Sequence, residues 1–357
     1  MGPLTKVSTL FLLWSIIAVI SETQATQSTG EKLYDASDHE DLNEVKNLSG
    51  QTCDGINWQK NYSNHGNWTP LHIAARKNHR QVVQYLLNCN ADANVQQSHG
   101  FTPIMIASRY ADTDVVNALL NANPDLNVQD NHGWTALMMA SRYNKSDSAK
   151  ALIVAGAQLD IQNRNGWTPM MYASREDNLE TVKALIKAGA DANLQQKDGY
   201  TALRYAATYA HLDVPDNLLN YGADMNIQDN NGTTALHWAA KFNRKEHVKT
   251  LLRHGINTHI ASKAGETAED IARKKEFIDI VKLIQNYNRI DTAGISQNNL
   301  PMTMIVLIAV LIVLLISLVS GCIYFIRYKR RMKASLQKHI VIFKNEDNKE
   351  SEHIYEN

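Results

Sequence analysis

Cysteine is scarce in this chain, with three among 357 residues. Cys53 and Cys89 belong to no metal-ligand spacing, and Cys322 sits in a long apolar run, so no metal site is expected. An excess of charge of one sign is also lacking. Lys plus Arg number 36 and Asp plus Glu number 36, and a net charge of zero gives no basis for a nucleic-acid or polyanion partner. The patterns of catalysis are missing too: no HExxH, no P-loop, no G-x-S-x-G and no clustered Cys/His. Histidines are scattered, several of them (His65, His99, His132) in polar turns. The expectation is a non-enzyme without metal or cofactor.

What is present is a period. Thr69, Thr102, Thr135, Thr168, Thr201, Thr234 and Thr267 recur every 33 residues. Glycine stands two positions before the last six of them, from Gly100 to Gly265, and alanine five positions after all seven, from Ala74 to Ala272. A register of this size marks a solenoid of stacked supersecondary units. Each unit reads as a polar turn, a short helix capped by the threonine, and a second helix. Pro70, Pro103 and Pro169 follow their threonines at the first helical position, where a missing N–H costs little. The second helix carries two apolar columns, Val83 to Val281 and Leu86 to Ile284, which pack unit on unit.

Thr69-Pro70-Leu71-His72-Ile73-Ala74 carries the T-P-L-H-x-A signature, so the chain resembles the ankyrin-repeat family. The resemblance implies an all-α ankyrin-repeat solenoid of seven repeats over 66–289. Residues 26–65 would hold a linker and a degenerate capping repeat around Leu33–Lys46, and polar Glu269 and Gln285 would close the other end. In the family the signature histidine ties neighbouring turns. Here only His72 and His237 keep it, and Met105, Met138 and Met171 are expected to substitute thioether packing. Pro215 replaces a ladder valine and is expected to distort its helix.

Ankyrin arrays bind proteins through the turn tips and the concave face of the first helices. The resemblance therefore directs attention to the residue before each threonine: Trp68, Phe101, Trp134, Trp167 and Tyr200. On the same face lie Arg76, Arg109, Tyr110, Arg142, Tyr143, Arg175, Tyr209, Lys241 and Phe242. Trp, Tyr and Arg dominate interface hot spots. One reading makes these residues an exposed protein-binding face; the other has the rings stack on one another and cover the arginine stems. On the first reading, replacing Trp134 and Trp167 by alanine removes binding and leaves melting unchanged.

The ends of the chain carry targeting features. Residues 1–25 combine Lys6 with an apolar run from Leu10 to Ile20, the layout of a secretory signal, with small residues for cleavage near Ala25 or Ser21. Met302 to Ile326 is uncharged and long enough to span a bilayer. Arg327, Lys329, Arg330, Arg331 and Lys333 follow it, which places the tail 327–357 in the cytoplasm. Residues 290–301 would be a linker. The expectation is a type I single-pass membrane protein whose repeats face the lumen or the exterior; the alternative is a cytosolic ankyrin adaptor anchored to an organelle. Sequons at Asn47, Asn61, Asn67, Asn144 and Asn231 agree with the secretory route. There Cys53 and Cys89 either pair or remain buried thiols. Tyr355, in a Y-x-N context, resembles a phosphotyrosine docking site, with an inert tail as the plainer reading. The function expected is a membrane-anchored, receptor-like scaffold that grips an unidentified protein ligand.

Overall fold

A computed structural model describes residues 28–50, 53–60, 66–209 and 211–297, with side chains as far as 290. The expected signal at 1–25, the span at 302–326, Tyr355 and Asn61 lie outside the described residues. Among those described, no helix is long and apolar enough to cross a membrane.

The repeats form two layers of helices. The first helices of the seven repeats are α3 (Pro70–Arg76), α5 (Pro103–Tyr110), α7 (Ala136–Arg142), α9 (Pro169–Arg175), α11 (Ala202–Tyr209), α13 (Ala235–Lys241) and α15 (Ala268–Lys274). The second helices are α4 (Arg80–Asn88), α6 (Thr113–Leu120), α8 (Ser146–Val154), α10 (Leu179–Ala188), α12 (Asp213–Asn220), α14 (Lys245–Arg253) and α16 (Ile278–Gln297). First helices pack on first helices and second helices on second helices, each repeat touching its neighbours. The compact unit ends at Tyr287 and a second unit begins at Asn288. Helical backbone continues to Gln297, so the expected linker at 290–301 is helix over its described part.

The repeated apolar residues explain the layers. All seven alanines from Ala74 to Ala272 are 0% exposed, because a methyl is the most that fits where the helices cross. Leu86, Leu119, Leu152, Leu185, Leu218, Leu251 and Ile284 are 0% exposed as well. Burying each contributes about 1.5–3 kcal/mol, realised only when the next repeat is in place.

The turns hold the repeats in register by hydrogen bonds. The amides of Asn131, Arg164, Lys197, Asn230 and Lys263 donate to the carbonyls of His99, His132, Asn165, Asp198 and Asn231 in the preceding turn, at 2.9–3.1 Å. A glutamine column adds a second tie. Gln162 Nε2 donates to Gly166 O at 2.9 Å and to Gln195 O of the next turn at 3.0 Å; Gln96, Gln129, Gln195 and Gln228 repeat the pattern. A third comes from Asn94, Asn127, Asn193 and Asn226, whose Oδ1 atoms accept from the amides of Asp125, Gln158, Asp224 and Asn257. This closeness explains the glycine column. Gly133 has φ +81°, and a Cβ there would lie 2.8 Å from the amide nitrogen of Arg164.

His72 makes the tie that its signature implies. Its Nδ1 accepts from the Thr69 amide at 3.2 Å and its Nε2 lies 3.0 Å from Phe101 O, so the neutral tautomer with the proton on Nε2 meets both. His237 repeats this with Thr234 and Glu266 O. Met105, Met138 and Met171 are buried in the same column. Thr135 and Thr168 still cap their helices, while Thr102 does not, and its buried hydroxyl has no partner.

Pro215 distorts the start of its helix, as expected: in neighbouring repeats the amide at this position donates four residues back, Val182 to Asn178 O and Val248 to Arg244 O, and proline has no such N–H. The helix α12 starts at Asp213, one position later in the register than its neighbours, so Pro215 falls in the first turn, where an amide has no intrahelical acceptor. Before the repeats, a helix α1 over 28–38 and a helix α2 (Leu42–Ser49) form the cap, with Leu33 and Val45 fully buried. A disulfide joins Cys53 to Cys89 at the end of α4, with 5.6 Å between Cα atoms. At the far end Gln285 Nε2 donates to Glu269 Oε1 at 2.8 Å, and both are partly exposed, as a terminal repeat requires.

Burial holds His72 down at a pKa of about 4, against backbone hydrogen bonding to Phe101 that favours the charged form. The unfolded chain takes up this proton near pH 6.5, and the folded chain only near 4. Stability is therefore full above pH 6.5 and falls as pH drops through that window, by at most roughly 3 kcal/mol. His72→Met, the residue of the next three repeats, should flatten that slope in denaturation curves taken from pH 7 to 4. An unchanged slope would show that His72 titrates freely.

Candidate functional site

The five rings that precede the threonines are not an exposed face. Trp68 is 7% exposed and counts as buried; Phe101, Trp134, Trp167 and Tyr200 are partly buried. The reason lies four residues after the threonine, where repeats four to six carry Tyr172, Tyr205 and Trp238. These rings alternate with the first set. Tyr172 stacks between Trp134 and Trp167, with centroids at 4.4 and 4.7 Å. Tyr205 lies 4.3 Å from Trp167 and 5.9 Å from Tyr200, whose edge meets Trp238 at 5.6 Å. Phe242 stacks on Trp238 at 5.8 Å. The result is a continuous ladder of rings across repeats three to six. Two of its rungs are anchored by polar groups. Asn163 Nδ2 donates to the Tyr172 hydroxyl at 2.8 Å, and Trp238 Nε1 donates to Asp229 Oδ2 at 3.0 Å.

Ionisation in the ladder follows its burial. Burial pushes the Tyr205 hydroxyl up to about 12 and moves Tyr172 in the same direction. Burial also works to raise Asp229, but hydrogen bonds from the Thr233 hydroxyl and amide and from Trp238 prevail and hold its carboxyl below the usual range. Each tyrosine thus stays neutral and Asp229 stays ionised at neutral pH.

The basic side chains lie on the ring faces. The Arg109 guanidinium sits between Tyr110 and Tyr143, 4.7 and 4.6 Å from their centroids. Arg76 lies 5.6 Å from Trp68 and from Tyr110, and Arg175 lies 5.6 Å from Trp167 and 5.9 Å from Tyr209. Arg142 reaches Trp134, Tyr143 and Tyr172, and Lys241 lies 4.6 Å from Trp238. Arg204 occupies the signature-histidine column, 7% exposed, with its guanidinium 3.9 Å from Tyr200 and 3.8 Å from Trp238. No carboxylate pairs with it among the described residues. A desolvated cation is costly, and the two ring faces offset that cost.

Exposure is concentrated on another row. Tyr110, Tyr143, Tyr209 and Phe242, at or just past the ends of the first helices, are 45, 37, 52 and 47% exposed. Glu176 takes that place in the fourth repeat. Between repeats one and two a cavity of about 230 Å³ opens beside the row, lined by Trp68, Arg76, Phe101, Met105, Arg109 and Tyr110 among others. The structure thus divides the candidate face in two. The rings before the threonines and those four positions after belong mostly to the scaffold, while the row at the helix ends, with its arginines, meets solvent. Among the described sequons Asn47, Asn67, Asn144 and Asn231 are exposed.

The family model described as ankyrin repeats (three copies) matches residues 33–130, 93–163, 137–229 and 203–293. No curated protein gives a significant match.

Removing the central rungs should loosen the fold. Trp134→Ala with Trp167→Ala is expected to lower stability by roughly 2–4 kcal/mol, since both lose stacking on Tyr172. Thermal denaturation checks this, and a melting temperature equal to that of the parent chain would mean the stack carries no load.

Proposed function

Since this chain belongs to the ankyrin-repeat family, we propose that it is a protein-binding scaffold whose recognition row is the set of exposed rings and arginines at the ends of the first helices. The observation that carries this reading is the exposure of Tyr110, Tyr143, Tyr209 and Phe242 beside guanidinium and ammonium groups already held on ring faces. Such side chains lose little further conformational freedom when a partner covers them, so contact energy is not spent on ordering. Rings and guanidinium groups are also the residue types that dominate hot spots. Ankyrin-repeat proteins are generally binding scaffolds without catalytic activity, and the absence of a catalytic motif in the sequence agrees with that.

The reading extends to topology. The chain is anchored by the apolar segment 302–326 with its basic flank inside, and the signal at 1–25 delivers the repeats to the lumen or the exterior. The Cys53–Cys89 disulfide supports an oxidising compartment. Exposed Asn47, Asn67, Asn144 and Asn231 are then available to glycosylation. Tyr355 lies on the cytoplasmic side, where its phosphorylation would offer a docking anion.

Two measurements check these points. Tyr143→Ala with Tyr209→Ala should shift stability by less than about 1 kcal/mol and weaken partner capture by the full chain at least tenfold; equal capture by variant and parent would remove the row from the interface. Treatment of the cell-derived protein with an endoglycosidase should increase its gel mobility. An unchanged mobility, together with cytosolic protease access to the repeats, would assign the chain to the organelle-anchored adaptors instead.

A further inference from the structure

The ring ladder ends at the sixth repeat, with Phe242 stacked on Trp238 as its last contact. The two columns that supply its rungs hold Thr233 and Trp238 in that repeat, then Glu266 and Ile271 in the seventh. Where the next ring would stand, a cavity of about 660 Å³ opens, lined by Trp238, Ile271, Lys241, Lys263, Lys274 and Lys275 among others. That volume falls in the range of sites that take a side chain or small ligand whole.

Trp238 is prepared as a platform. Its Nε1–H is fixed on Asp229, the Arg204 guanidinium lies 3.8 Å from its centroid and Tyr200 meets it edge-on, while the residue itself stays partly exposed. A ring arriving there would continue a stack already ordered, at little entropic cost.

Charge defines what carries the ring. Four lysines line the cavity against one carboxylate, Glu266, which pairs with Lys274. Lys241 rests on Trp238, and neither Lys263 nor Lys275 has an ion-pair partner among the described residues. All four are exposed, and they are spread over two repeats rather than converging on one point. This arrangement suits several carboxylates along an extended segment better than a single compact anion. In a chain of net charge zero the concentration is local to this end of the array.

We propose that the cavity between repeats six and seven binds an acidic segment of a partner protein, seating one of its aromatic residues on Trp238 and its carboxylates on Lys241, Lys263 and Lys275. The proposal rests on the reading of the array as a protein-binding scaffold and adds a second, chemically defined site to it. Asn231 also lines the cavity, so a glycan on that sequon would cover the site.

The test uses the full chain in detergent with Asn231→Gln, so that no glycan intervenes. The probe is a fluorescein-labelled synthetic peptide with one tyrosine flanked by glutamates, followed by anisotropy. Saturable binding is expected, weakened at least tenfold by Lys263→Glu with Lys275→Glu, by tyrosine-to-alanine exchange in the peptide, and by raised salt. Tyr143→Ala with Tyr209→Ala should leave it unchanged. Absence of binding, indifference to the lysine changes, or equal binding of the alanine peptide would each overturn the proposal. Loss of partner capture in the Tyr143/Tyr209 variant alongside any of those results would leave the recognition row standing and sink this site alone. Matching melting temperatures for the lysine variant and the parent exclude misfolding as the cause.

Discussion

Every feature of this molecule depends on the hydrogen bonds that join one turn to the next. No single helix pair can bury its apolar face, so the leucine and alanine columns contribute only if neighbours arrive at one spacing and one angle. The turn amides, the glutamine column and the asparagine column set both. They do so with backbone groups at close range, which is why glycine stands at the tight point of the turn and why a side chain at Gly133 would meet the amide of Arg164. Direct bonds between neighbouring turns also remove buried polar groups from consideration, since the donors and acceptors along this edge satisfy one another.

With register fixed there, the signature-histidine column is free to vary. His72 and His237 use it for a further tie, Met105, Met138 and Met171 fill it with thioether, and Arg204 fills it with a cation held between rings. The glutamine bonds run unbroken through repeats two to five, where the histidine is missing, so its loss leaves the turns joined. The ring ladder follows from the same geometry. Two positions per repeat face one another across each interface, and when both are aromatic the rings interleave.

Much of this was legible in the sequence, and the exceptions have physical causes. The threonine register, the alanine and leucine columns and the polar far cap at Glu269 and Gln285 could all be read directly, because each repeats a burial or capping requirement at one fixed interval. The glutamine column stands in the same register, yet it reads as an ordinary polar turn residue until the next turn's carbonyl is seen beside it. The rings before the threonines looked like a free surface because their partners, Tyr172, Tyr205 and Trp238, sit either five residues after them in the same repeat or 38 residues after them in the next one. Pro215 was readable as a helix breaker, but only the backbone shows the form of the distortion, a helix that begins one residue later. Tyr110, Tyr143, Tyr209 and Phe242 belong to the same candidate set, and it is their exposure at the helix ends that separates them from the stacked rings.

The turns, rather than the helices alone, are the element that sets the solenoid. Residue-resolved amide hydrogen exchange tests this most directly. The amides of Asn131, Arg164, Lys197 and Asn230, which lie in polar turns yet donate to the preceding turn, should be protected to the same degree as the core amides of the adjoining helices. Rapid exchange at these four positions while the helices remain protected would contradict it, and would leave helix packing alone to set the register.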